Sequence, residues 1–246
     1  MALDRMRSWL SFGRRELVTV AADEIPWDIR PVCERVVAVG DVHGDMVALA
    51  SILLERGLID SEGRWIGGDA HLVLIGDLIG GAGESRLLVE FVLRLEKESA
   101  RDTGAVHALL GNHDVLALGR RRWKNAEKQL FKLFPIFGAR SKSYEEAYLG
   151  STHFARWLRR RNAITRHGNT LFVHAGLGKW VEQHDPGRIN ATIRAWIRYF
   201  QAVDKVKPDS RSRWTIGKER MRRGSPLEIG PLWTRVFKPK LDKSDP

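Results

Sequence analysis

Four short polar clusters, each opening where an apolar run ends, constrain this chain more than any other feature. They read Gly40-Asp-Val-His-Gly-Asp45, Gly76-Asp-Leu-Ile-Gly80, Gly111-Asn-His-Asp114 and Val173-His-Ala-Gly-Leu177. The runs leading into the first three are Val36-Val-Ala-Val-Gly40, Leu72-Val-Leu-Ile-Gly76 and Val106-His-Ala-Leu-Leu110. They are rich in Val, Ile and Leu without alternation, the pattern of strands buried on both faces. Thr170-Leu-Phe-Val-His174 reads as a fourth strand. Between them lie stretches of helical period, marked by Met46, Leu49, Ile52 and Leu53, then by Leu87, Leu88, Phe91, Val92 and Leu95. Strand–helix–strand repetition predicts βαβ units and a substantially parallel core. Asp41, Asp77 and Asn112 follow one another at intervals of 36 and 35 residues, and a βαβ unit takes about 30 or more. Successive clusters therefore emerge at the carboxyl edge of one sheet, where open α/β folds place their ligands.

Asp41, His43, Asp77, Asn112, His113 and His174 are thus expected to converge. A lone Gly-Asp or Gly-Asn pair after a strand is ordinarily a turn, and a lone His there is a hydrogen-bonded loop residue. Four clusters in order, at this spacing, are not explained that way. Carboxylate, imidazole and amide oxygen without thiolate suit divalent ions such as Mn, Fe or Zn. A shared aspartate, for which Asp77 holds the middle position, can bridge two of them. Two metals about 3.5–4 Å apart can hold a hydroxide and clamp an in-line phosphoryl displacement.

Elsewhere the chain is less specific. Hydrophobic residues make up 43% of its 246, enough for a sizeable core and too many for overall disorder. The single cysteine, Cys33, excludes an internal disulfide framework. No apolar stretch approaches the roughly 18–20 residues of a spanning helix, and the apolar patch Trp9–Phe12 is too short for a secretory signal. The expectation is a cytoplasmic protein. Arg5, Arg7, Arg14 and Arg15 around Trp9, Leu10 and Phe12 read as a solvated or locally packed N-terminal helix, with an acidic membrane surface as the alternative. Residues 1–34 form an N-terminal extension and 35–246 a single domain. Within it, roughly Leu116 to His167 is expected to be a helical insertion, carrying Arg120-Arg-Arg122, Trp123, Phe131, Phe134, Phe137 and Arg159-Arg-Arg161. A helix follows Gly187 with Ile193, Trp196, Ile197 and Phe200 on one face.

In this order, GDVHGD, GDLIGG, GNHD and FVHAGL resemble the motifs of the calcineurin-like metallophosphoesterases. GPLWTR, Gly230 to Arg235, resembles a segment of the Shewanella-like branch of the phosphoprotein phosphatases. The resemblance implies an α/β fold, an αββα-type four-layer sandwich of two mixed β-sheets flanked by helices, with two divalent ions at the strand ends. It implies Asp41 and His43 on the first metal, Asp77 bridging, and Asn112 and His174 on the second. His113 would protonate the leaving alcohol, and Arg235 would clamp phosphate, guanidinium being suited to it.

Two departures stand out. The family's second motif reads GDxVDRG, so Gly80 and Gly81 replace an Asp that orients the catalytic His and an Arg that binds phosphate. Arg86 is the candidate replacement for the latter. The family also places a further metal-ligating His after the GPLWTR segment, whereas no His follows His184 here. Either the sequence stops short of that residue or the second metal has one protein ligand fewer. His167 and His184 are read as surface or loop histidines rather than substitutes.

Lys plus Arg number 41 against 30 Asp plus Glu, a net charge of +11 that favours an anionic partner. Cations alternate with aromatics in Arg120-Arg-Arg-Trp-Lys124, Trp157-Leu-Arg-Arg-Arg161 and Arg211-Ser-Arg-Trp214. This is read first as solvated helix faces with buried Trp, then as a surface for an acidic protein substrate, and last as a nucleic-acid site. The expected function is a phosphomonoesterase acting by metal-bound hydroxide, on phosphoserine, phosphothreonine or phosphotyrosine in protein. The alternatives are a dinucleoside polyphosphate hydrolase and a catalytically impaired phosphate-binding relative.

Overall fold

The central strand explains the architecture. β3, His71–Leu74, is buried along its whole length, so it must be covered on both faces and paired on both edges. A computed structural model describes residues 25–29, 33–80, 85–118, 152–178, 184–206 and 231–232. In it β3 pairs in parallel with β2, Val36–Val39, and with β4, Ala105–Ala108. Parallel neighbours need crossover connections. These are α1, Met46–Glu55, and α2, Ser85–Ser99. Asp45 caps α1 by accepting from the Ala48 N–H at 2.9 Å.

The second sheet is mixed. β1, Asp28–Ile29, runs parallel to β5, Ile164–His167, which is antiparallel to β6, Thr170–Val173. α3, Asn112–Leu118, follows β4 directly. α4, His153–Arg159, precedes β5 and is capped by the Thr152 hydroxyl. α5, Pro186–Val206, begins with proline, whose missing N–H costs nothing in the first turn. α2 packs on β4 and α5 on β5, giving each sheet a helical cover. The sheets meet through a parallel bridge between Leu109 and Asn162. Asn190 of α5 fastens β5 by accepting from the Ala163 and Ile164 amides and donating to the Ile164 carbonyl. The result is the mixed helix-and-sheet α/β architecture expected.

The four expected strands are present, displaced by a residue or so at their ends. Two more appear where the sequence reading had none. β1 falls within residues 1–34, and β5 at the end of the stretch read as a helical insertion, so that stretch closes with a sheet strand. His167 is a further correction: it is a buried strand residue, 4% exposed, rather than a surface or loop histidine. The Trp157–Arg161 segment is also settled. Trp157 and Leu158 are in the core, and Arg161, 6% exposed, is bonded to Glu96 and stacked on the Trp157 ring. The other two basic–aromatic runs, and Trp123, Phe131, Phe134 and Phe137, lie outside the described residues. No helix among the described residues is long and apolar enough to cross a membrane.

Candidate metal centre at the strand ends

Each strand of the parallel sheet releases its chain into a loop held against the next. The His43 N–H donates to the Asp77 carbonyl at 2.8 Å, and Gly44 to that of Leu78 at 2.9 Å. This docks the β2–α1 loop onto the β3–α2 loop. Gly76 and Gly111 then pass so closely that a Cβ on Gly76 would stand 2.5 Å from the Gly111 nitrogen. Gly76 also has φ +103°, so both its conformation and its surroundings require glycine. Three non-glycine residues among those described adopt left-handed backbone: His43, Asp77 and Thr103, at φ 45°, 49° and 62°. Two of the three are predicted ligands. Such strain is tolerated where surrounding contacts over-determine it, and it clusters at functional sites.

Asp114 locks the arrangement from beneath. Its fully buried carboxylate accepts from the backbone N–H groups of Gly111 (2.8 Å), Ile79 (3.2 Å) and Leu78 (3.4 Å). Burial first, with the nearby Asp77 charge adding to it, pushes Asp114 up to about 8. The GNHD motif alone does not reveal this role. The available signal was a carboxylate in the first turn of a helix that follows a ligand cluster.

Asp77 is the hub. Its side chain is 3% exposed, and Oδ1 accepts the His113 N–H at 2.8 Å. Around Oδ2 stand the Nε2 atoms of His174 (3.6 Å), His43 (3.7 Å) and His113 (3.9 Å). Asp41, more exposed, places Oδ1 3.6 Å from His174 Nδ1 and Oδ2 3.8 Å from His43 Nε2. These separations are too long for hydrogen bonds. They are close to the 3–3.5 Å or so between ligand atoms sharing an ion with bonds of about 2.0–2.2 Å. His174 Nδ1 lies 3.1 Å from the Ile75 carbonyl. In the tautomer where Nδ1 donates to that carbonyl, the Nε2 lone pair faces Asp77, the usual supporting shell of a metal-binding imidazole. The residues therefore fit divalent ions in two overlapping groups, His43–Asp77–His113 and Asp41–Asp77–His174.

Burial and neighbouring charge oppose each other at this site. Burial raises the Asp77 pKa although His174, His113 and His43 pull it down. Burial also lowers that of His113, against the attraction of Asp77. Asn112 opens α3 beside His113. Arg86, the candidate phosphate ligand, is half-buried on α2 with Nε 2.8 Å from Glu90 Oε1, a pairing within its own helix. Arg235 lies outside the described residues. The start of its segment is placed, however: Leu232 is buried and the Pro231 carbonyl accepts from the Ala175 N–H at 2.8 Å, next to His174. Gly80, standing where the family has Asp, is adjacent to the histidine that Asp would orient. A Cβ there would lie 3.2 Å from His113 Nδ1.

Comparison with known proteins gives a consistent answer. Shewanella-like protein phosphatase 2 of Arabidopsis thaliana is 27% identical over 206 residues, covering 68% of this chain and 53% of that protein. The symmetrical bis(5'-nucleosyl)-tetraphosphatase of Neisseria meningitidis is 26% identical over 188 residues, covering 74% and 59%. The chain thus spans a little over half the length of these curated relatives. A solved cold-active protein tyrosine phosphatase superposes with a TM-score of 0.67 at 25% identity, covering 87% of this chain and 61% of that one. The family model that matches residues 34–229 is that of the calcineurin-like phosphoesterases. With most of its length and all four strand-end clusters inside that match, the chain belongs to the calcineurin-like phosphoesterase family.

Proposed function

We propose that this chain hydrolyses phosphate monoesters, with phosphorylated Ser, Thr or Tyr side chains of proteins as substrates. The observation that carries the reading is the convergence of His43, His113 and His174 on one buried carboxylate oxygen of Asp77. Asp41, His43, Asp77, Asn112 and His174 would together hold two divalent ions, with Mn, Fe or Zn suited to these ligands. Pairing Asp41 with His43 and Asn112 with His174 follows the family resemblance, whereas the geometry groups His43 with His113 and Asp41 with His174 around Asp77. When bound, the ions supply Lewis acidity toward phosphoryl oxygens and lower the pKa of coordinated water.

The protein's own residues supply the rest. The His113 amide on Oδ1 and the His43 amide on the backbone carbonyl hold Asp77, so its carboxylate is oriented in advance of the reaction. His113 delivers a proton to the leaving alkoxide oxygen, and its ring is positioned against that of His43, with centroids 4.6 Å apart. The neutral ring favoured by burial must gain its proton at the site, where Asp77 and Asp41 favour the charged form. Arg235 is the phosphate clamp of this reading, four residues after Pro231, whose carbonyl accepts from the Ala175 N–H. The protein-phosphatase relative favours phosphoprotein. The Neisseria relative supports dinucleoside polyphosphates as the second reading.

Turnover of p-nitrophenyl phosphate, a phosphopeptide and diadenosine tetraphosphate by the Mn-loaded protein tests both. Preference for the phosphopeptide, with kcat reduced roughly 10²–10⁴-fold in His113→Asn, is the expected result. Preference for diadenosine tetraphosphate moves the reading to the second hydrolase. Turnover of none of the three leaves a phosphate-binding relative.

A further inference from the structure

The other concentration of chemistry lies at the opposite end of β3 from Asp77. We infer that His71, His107 and His167 form a separate cation site of zinc type, buried between the two sheets. His71 and His107 stand on the same face of the parallel sheet, because the register pairs His71 with Ala105 and Val73 with His107. His167 comes from β5 of the other sheet. The three rings meet with centroids 4.7, 5.1 and 5.3 Å apart. One nitrogen from each lies within 4.8 Å of the others.

His71 Nδ1 and His107 Nε2 are 3.2 Å apart, a hydrogen-bond distance between the two rings that is also close to the roughly 3.3 Å between tetrahedral ligands with Zn–N bonds of about 2.0–2.1 Å. Two further observations favour an ion over a simple packed cluster. Both ring nitrogens of His167 are buried and lack a hydrogen-bond partner among the described residues, a costly arrangement unless something is bound there. Burial pushes His107 down to about 3 and His167 to about 4, so both rings are neutral at ordinary pH and carry the lone pairs a metal needs. The surrounding charges do not forbid a cation: Arg161 is neutralised by Glu96, and Asp69 acts on His71 in the favourable sense. An all-imidazole set suits Zn, Cu or Ni rather than Mg or Mn. It differs from the carboxylate-bearing strand-end site, and the inference does not depend on that site's activity.

The test isolates this cluster by removing the other one. The full chain carrying Asp41→Asn, Asp77→Asn and His174→Asn is stripped with chelator and loaded with Co(II) or Zn(II). Expected are about one metal per chain, the absorption of tetrahedral Co(II), and a rise in Tm on zinc addition. X-ray absorption should show three imidazole ligands. Adding His107→Gln or His167→Gln should abolish all of this while circular dichroism stays unchanged. If the parent variant is unfolded, the comparison moves to otherwise wild-type protein. There His107→Gln should lower zinc content by one per chain without changing p-nitrophenyl phosphate turnover in excess Mn. A parent variant that folds but binds neither ion, or His→Gln variants that bind as much metal as their parent, would overturn the assignment.

Discussion

Asp114 shows how much of the strand-end geometry depends on one side chain outside the expected ligand set. It collects three backbone amides from two loops. Asp114→Ala would leave those donors buried and unpaired at about 1–3 kcal/mol each. A loss of at least about 3 kcal/mol in urea unfolding is therefore expected, with weakened metal retention. Asp114→Asn keeps the shape but loses acceptor capacity, and should fall between the two. Retention of full stability in Asp114→Ala would show that the loops hold themselves. The metal-free histidine cluster gives a pH prediction of definite sign. His107 and His167 bind protons less readily folded than unfolded, their pKa values falling from 6.5 to about 3 and about 4. Their contribution to stability is present above about pH 6.5 and is lost as pH falls toward 4, because the unfolded chain then takes up more protons. Acid unfolding of chelated protein should show this loss, and His167→Gln should flatten it. At this scale the sequence was informative about Asp41, His43, Asp77, His113 and His174, because each follows a strand that can be read. It was silent on Asp114, whose role depends on amides from a loop some 35 residues away.

Elements add constraints that no single residue carries. α2 and α4 are tied by Glu96, which accepts from Trp157 Nε1 at 2.9 Å and from Arg161 Nη1 at 2.5 Å. Breaking a buried pair by deleting one partner costs about 3–5 kcal/mol. Glu96→Ala should show that loss in thermal unfolding, whereas replacing both partners by apolar residues of similar volume should recover most of it. A null effect of the single change would mean the pair is hydrated in solution. At the strand ends, Gly76→Ala meets both a left-handed φ and the Gly111 backbone. It should destabilise by more than the roughly 1 kcal/mol of an ordinary glycine effect and separate the two loops. Wild-type metal content in that variant would contradict the close passage. Apolar runs such as Leu72–Ile75 made four strands legible, although of these only β3 is buried along both faces, while β2, β4 and β6 are partly exposed. β1 has only two residues, and β5, Ile164–His167, interleaves Arg and His with buried positions. Neither has the period or the apolar run that marks a strand, so tertiary pairing alone defines them.

For the molecule as a whole, the two sheets divide the labour. The parallel sheet supplies Asp41, His43, Asp77, Asn112 and His113, and the mixed sheet brings His174 to them from the end of β6. The meeting of the sheets was therefore implicit in the sequence at one end of the molecule and unannounced at the other. His71 and His107 lie beside or within apolar runs that read as strands, and His167 reads from the sequence as a surface or loop histidine. β3 joins these two ends physically: it starts at His71, and Asp77 follows six residues on. At no more than about 3.3–3.6 Å per residue, six steps span at most about 20–22 Å. A rigid, fully buried strand thus acts as a built-in ruler between the two clusters. Paramagnetic ions placed at both ends should report on each other through dipolar coupling, and any slippage of β3 during turnover would register as a change in that distance.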